Sequence, residues 1–168
     1  MHIFRSFAIA ASTSLACAAM AAPASDKARV SFVSGGGLVE GVYQAAIVVD
    51  LAPDTTTYWR NPGEAGSPPS FDFSGSGNLA HADVAMPAPK RIEEAGLDVF
   101  GYRNRVVFPV TIRPGDAGKP VTADLKMDYA ACEKICIPMH ADARLELSPA
   151  GGGADGALVA AARAALPK

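Results

Sequence analysis

The chain of 168 residues holds only 3 cysteines. No long block of charge has a single sign, with 15 Lys and Arg against 17 Asp and Glu. That balance excludes the basic patch or stripe of a nucleic-acid binder. Past the N-terminus no stretch has the ~20 consecutive apolar residues that a membrane-spanning helix needs, so no membrane insertion is expected of the mature chain. Helical periodicity is missing until the last residues, which argues against a helix bundle, and no internal repeat is present.

What the chain has in quantity is turn chemistry, with 13 Pro and 16 Gly. Gly-Gly-Gly at 35–37, Asn61-Pro62-Gly63, Ser67-Pro68-Pro69, Pro87-Ala88-Pro89 and Pro114-Gly115-Asp116 each mark a turn. Between them lie short β-branched or alternating runs: Arg29–Val33, Val42–Leu51, Thr55–Trp59, Ala82–Met86, Arg105–Ile112, Val121–Tyr129 and Ala141–Leu147. Such runs at such spacing predict an all-β, single-domain β-sandwich. After Gly151-Gly152-Gly153, Ala157–Leu166 is Ala-rich enough for a short helix. It lacks a broad face of large apolar residues, so fraying is expected of it.

The first residues read as an export signal. His2 and Arg5 precede an apolar run from Phe7 to Ala19. Ala19-Met20-Ala21 then offers small-residue cleavage chemistry, with Ala22-Pro23-Ala24 as a second candidate site. The expected division is therefore a signal peptide at 1–21, a β-domain at 22–149 and a Gly/Ala-rich tail at 150–168. The expected localisation is the periplasm. Cys17 falls inside the signal. Ser14-Leu15-Ala16 sets Leu one place too close to Cys17 for the usual lipobox, which argues against a lipoprotein.

Export leaves one cysteine pair, Cys132 and Cys136, in an oxidising compartment. In a continuous strand four residues of rise would hold their Cα atoms ~13 Å apart. A disulfide needs less than ~7 Å. The chain must turn between them, as a tight hairpin loop or a single helical turn. Closing so short a loop stabilises a fold by only about 2 kcal/mol. A tight ring is better suited to exchange, because the second thiol sits beside the first and can expel a bound partner. Lys134 favours a thiolate and Glu133 opposes it.

Spacing alone leaves three readings open: redox exchange, a structural bond and metal binding. The metal reading rests on Cys132, Cys136 and His140, spaced every four residues with Met139 adjacent. On a helix they would share one face fit for Cu(I) or Zn. Pro138 opposes that helix, a lone His140 reads as a solvated surface residue, and no metal site is expected. His81 and Met86 would join a soft site only if the fold brought them near.

Three blocks of residues carry a resemblance. The first is Tyr58-Trp59-Arg60-Asn61-Pro62-Gly63-Glu64-Ala65-Gly66 with Pro68-Pro69-Ser70-Phe71-Asp72-Phe73-Ser74-Gly75-Ser76. The second is Gly101-Tyr102 with Val106-Val107-Phe108-Pro109-Val110, and the third is Tyr129 and Cys132 with Cys136-Ile137-Pro138. In order and extent, roughly residues 30–147, they resemble the N-terminal periplasmic domain of the thiol:disulfide interchange proteins DsbD and ScsB. The spacing of the cysteines is closer to ScsB than to DsbD.

The resemblance implies an immunoglobulin-like sandwich with no cofactor. It implies a thiol–disulfide oxidoreductase domain that takes electrons from a thioredoxin-like periplasmic or membrane-anchored protein and passes them to periplasmic thiol proteins. Cys136 then forms the mixed disulfide and Cys132 resolves it. The association of ScsB-like proteins with copper tolerance lets a copper or zinc role overlap with this one. The family's membrane and thioredoxin-like domains would begin where this sequence stops, so a separate reductant is expected. The family also shields its disulfide with an aromatic cap. The corresponding stretch is Ile92–Tyr102, where Phe100 or Tyr102 is the candidate lid, the alternative being that both rings pack in the core. Tyr129 and Pro138 flank the cysteines as candidate cap or partner contacts. Trp59 is expected to be core or loop-anchoring, and Asn61–Ser70 a structured loop.

Overall fold

A computed structural model describes residues 27–167. The expected signal peptide and Cys17 lie outside the described residues. The strands are β1 (Ala28–Ser34), β2 (Tyr43–Leu51), β3 (Thr56–Gly63), β4 (Ser70–Asp72), β5 (Leu79–Val84), β6 (Lys90–Glu94), β7 (Leu97–Arg103), β8 (Arg105–Pro114), β9 (Val121–Cys132) and β10 (Cys136–Leu147), followed by helix α1 (Gly156–Ala164). They form two antiparallel sheets. One runs β1-β2-β8-β5, and the other runs β10-β9-β3-β7-β6 with β4 added onto β9. The nearly all-β sandwich matches the fold class expected from the turn and strand pattern.

Period-two alternation decides what each strand buries. In β8, Val106, Phe108, Val110 and Ile112 point inward. In β9, Val121, Ala123, Leu125, Met127, Tyr129 and Ala131 do so. Beside the β8 residues in the same sheet, β2 adds Tyr43, Ile47 and Val49, which face β9. Phe71 and Tyr102 both meet the Phe108 ring edge-on, with centroids 5.6 Å away. Burying such side chains contributes about 1.5–3 kcal/mol each and makes the inter-sheet layer the main source of stability.

The alternation has a consequence at the end of β9. Ala130 and Cys132 fall on the outer face of the six-stranded sheet, yet both are buried. A second, smaller apolar cluster of Tyr58, Ile92, Val99, Ala130 and Cys132 covers them there.

The strand readings hold for β1, β2, β8 and parts of β3, β9 and β10; β4 has no counterpart among them, and three further places differ. The stretch expected to be a cap loop is the hairpin β6–β7, turned through Ala95 and Gly96, both at positive φ. Lys90, Arg91, Glu93 and Glu94 hid β6, because its one buried apolar residue, Ile92, gives no visible alternation. β5 begins three residues earlier than expected, ends two earlier and leaves Met86 outside it. Asn61-Pro62-Gly63 is the irregular end of β3 rather than a free turn, with a register shift between Tyr58 and Gly63.

The tail is docked. Val159 of α1 is buried, and Arg163 donates to the Thr111 hydroxyl at 3.0 Å. Gly35 permits this approach, since a Cβ there would stand 2.7 Å from the Gln44 carbonyl and 3.0 Å from Val159. Ser34 donates to the Gly152 carbonyl at 3.1 Å and holds the linker. The expectation of fraying weighed helix propensity and missed this packing partner.

Candidate active site: a cross-strand disulfide

β9 and β10 form a hairpin whose turn is Glu133, Lys134 and Ile135, and Cys132 pairs directly with Cys136 across it. Their Cα atoms are 4.0 Å apart and the sulfurs are bonded. Of the two turn geometries open to the sequence, the hairpin is the one adopted. Pro138 is compatible with it because β10 lies at the end of the sheet order, where a missing donor costs little. Lys27, just before β1, pairs with Glu133 and ties the turn to the start of the first strand. That contact, with Lys134 second, holds the Glu133 carboxyl below its ordinary pKa.

The two halves of the disulfide differ in surroundings. Cys132 is 2% exposed and packed in the small outer cluster. Cys136 is exposed, and so are its neighbours Ile135 and Ile137. A partner approaching from solvent meets Cys136 first.

Tyr58 forms the floor beside Cys136. It is fully buried, its hydroxyl lies 3.5 Å from Cys136 Sγ, and it donates to Glu94 Oε2 at 2.7 Å. Burial first, and the Glu94 carboxylate second, push the Tyr58 phenol well above its ordinary pKa. Above the ring runs the loop of residues 64–69, with Gly66 against it. The Glu64 amide donates to the Asp98 carbonyl at 3.1 Å, and the Asp98 amide donates to Glu64 Oε2 at 2.9 Å. The segment is thereby clasped to β7.

The other residues singled out from the sequence take separate places. Tyr102 lies in the inter-sheet core and donates to the Pro87 carbonyl at 2.7 Å, so it does not lid the disulfide. Phe100 is exposed, and a Cβ at Gly63 would meet its ring at 3.3 Å. Tyr129 is 5% exposed and belongs to the main core. Trp59 is half-buried against that core, with the Arg60 guanidinium 4.7 Å above its ring. A groove of about 440 Å³ begins at Pro138 and is lined by Pro68, Tyr129, Met139 and His140 among others.

The helical face imagined for Cys132, Cys136 and His140 does not form. His140 sits four residues along a strand from Cys136, about 13 Å by strand rise. Its ring is 2.8 Å from Asp128 and 3.3 Å from Asp142. Among the described residues no group of three or more His, Cys, Asp or Glu side chains is placed to hold a metal. Tyr58 entered the sequence reading only within a motif block, and Glu94 did not enter it. No spacing rule links residues 36 positions apart on strands that are not adjacent in the sheet.

Residues 21–147 match the family described as the N-terminal domain of the thiol:disulfide interchange protein DsbD. Among solved structures, the N-terminal periplasmic domain of ScsB from Proteus mirabilis superposes with a TM-score of 0.65 at 25% identity. It covers 88% of this chain, and this chain spans 57% of it. The reduced N-terminal domain of Neisseria meningitidis DsbD is more distant, with a TM-score of 0.40 at 12% identity, covering 74% of this chain and 88% of its own. No curated protein matches the chain.

Proposed function

The chain belongs to the family of DsbD N-terminal domains, and from that footing we propose that it is an exported, periplasmic thiol–disulfide exchange protein acting through Cys136 and Cys132. Its reductant is a thioredoxin-like protein and its substrates are periplasmic thiol proteins. Among the described residues no helix is long and apolar enough to cross a membrane. The observation that carries the reading is the unequal exposure of two sulfurs held in one hairpin. Exchange needs one accessible sulfur for attack and one close, shielded sulfur for resolution.

In the reduced domain the Cys136 thiolate attacks one sulfur of a partner disulfide. A mixed disulfide forms, the partner's S–S bond breaks, and its other sulfur leaves as a thiolate. Cys132, as a thiolate, then attacks Cys136 Sγ. The intramolecular bond closes and the partner's remaining sulfur departs as a thiolate. Two electrons pass to the partner, and the two protons lost by the domain thiols are taken up by the partner's through water. The reverse sequence reloads the domain.

Cys132→Ala removes the resolving thiol and should trap a mixed disulfide with a thioredoxin-like protein. Cys136→Ala should trap far less, its remaining thiol being buried. Non-reducing gels with mass spectrometry of the adduct read both. Equal trapping in the two variants would remove the assignment of roles. Absence of any adduct, with a reduction potential below about −300 mV, would make the bond structural.

A further inference from the structure

The Tyr58 hydroxyl carries one proton and faces two acceptors. Glu94 Oε2 stands at 2.7 Å and Cys136 Sγ at 3.5 Å. With the disulfide closed, Cys136 has no hydrogen to give, so its sulfur is only a weak acceptor and the carboxylate holds the phenol proton. Opening the bond changes what the sulfur can do. As a thiol it can donate to the phenol oxygen. As a thiolate it is stabilised by donors, and the Tyr58 hydroxyl beside it is committed to Glu94.

We infer that Glu94, by holding the phenol proton of Tyr58, turns the phenol oxygen toward Cys136 as an acceptor and so keeps the Cys136 thiol protonated in the reduced, resting protein. The inference rests on the reading of Cys136 as the exchanging thiol and adds a control on its reactivity. Tyr58 touches the reacting sulfur, whereas Glu94 is a positioning residue that acts through it. Tyr58 is fully buried, so water does not compete with Glu94 for the phenol proton. Burial and the nearby carboxylate also raise the Tyr58 pKa, which keeps the phenol from ionising in place of the thiol.

The other charges around the hairpin leave this arrangement standing. Glu133 is paired with Lys27, His140 on β10 with Asp128 and Asp142, and Arg91 on β6 with Asp98. Lys134, in the exposed turn, favours the thiolate, but through solvent that screens it. A protonated Cys136 stores its electrons against stray oxidants until a partner docks and the thiol gives its proton to water or to a base of that partner.

The test is the pH profile of alkylation by iodoacetamide in the reduced mature protein, with the modified cysteine identified by mass spectrometry. Glu94→Gln leaves a neutral group that no longer commands the phenol proton. It should speed Cys136 alkylation at pH 7 by about threefold or more, a downward shift of half a pKa unit or greater. Glu93→Gln removes an equal charge from the exposed side of the same strand and should match the wild type. Adding Tyr58→Phe to Glu94→Gln should abolish the gain, since the donor released by the first change is gone.

Equal effects of Glu94→Gln and Glu93→Gln, or no effect of either, would overturn the inference. A gain that survives in the Tyr58→Phe double variant would reduce Glu94 to a through-space charge and would overturn it as well. The single Glu94→Gln comparison decides the matter even if the double variant does not fold. Should alkylation fall on Cys132 instead, the assignment of the exchanging thiol fails, a result distinct from an unchanged rate at Cys136.

Discussion

Gly66 lies flat against the ring of Tyr58, so that a Cβ at this position would fall 2.5 Å from two ring carbons. Its φ of +93° is in the region that side chains disfavour. The residue that roofs the floor of the cysteine site is therefore constrained twice, by space and by backbone. Tyr58 thus touches both the roof at Gly66 and the sulfur of Cys136.

The first prediction follows from that contact. Gly66→Ala should destabilise the fold by about 1–3 kcal/mol through overpacking and backbone strain. It should also change the Cys136 alkylation rate, because Tyr58 must give way. Urea denaturation and the alkylation assay measure the two effects. A variant as stable as the wild type would mean that the loop lifts off without cost.

The docked tail gives the second. Val159→Ala should cost about 1–3 kcal/mol, while a change at exposed Ala160 to Ser should cost little. Midpoints of chemical unfolding compare the two. If Val159→Ala unfolds at the wild-type midpoint, α1 contributes nothing to the sandwich.

The third concerns pH. Asp128 first, and Asp142 beside it, raise the His140 pKa above its ordinary value. A raised folded-state value means the contribution is fully present below about pH 6.5 and is lost as pH rises through the folded pKa. His140→Gln should therefore lower the melting temperature at pH 5.5 and leave it unchanged at pH 9. The same deficit at both values would show that His140 acts by packing rather than by charge.

The fourth concerns metal. Both thiols are consumed in the oxidised protein, and His140 is engaged by two carboxylates. Titration with Zn²⁺ or Cu(I) should show no tight site in the oxidised form. Tight binding there would require ligands other than Cys132 and Cys136.

The arrangement of strands was legible where alternation was clean. β1, β2 and β8 stand where β-branched runs stand, because their inward positions bury nearly every apolar side chain they carry. The β6–β7 hairpin was not legible. Its outer strand shows solvent charges on most positions and buries Ile92 alone, so local pattern resembles a loop. α1 was half legible, since propensity suggests a helix while its stability comes from Gly35 leaving room for Val159.

The sequence by itself determined that Cys132 and Cys136 must meet through a turn, because strand rise would otherwise separate them beyond bonding distance. It determined too that Pro138 would oppose a helical metal-binding face. Only the tertiary structure decided which sulfur faces solvent. That depends on the outer cluster, in which Tyr58 from β3, Ile92 from β6 and Val99 from β7 converge on Cys132. It likewise decided that Glu94 would hold the Tyr58 hydroxyl beside Cys136. These groups come from segments far apart in the chain. Their meeting is set by sheet order and register, and neither propensity nor spacing encodes those locally.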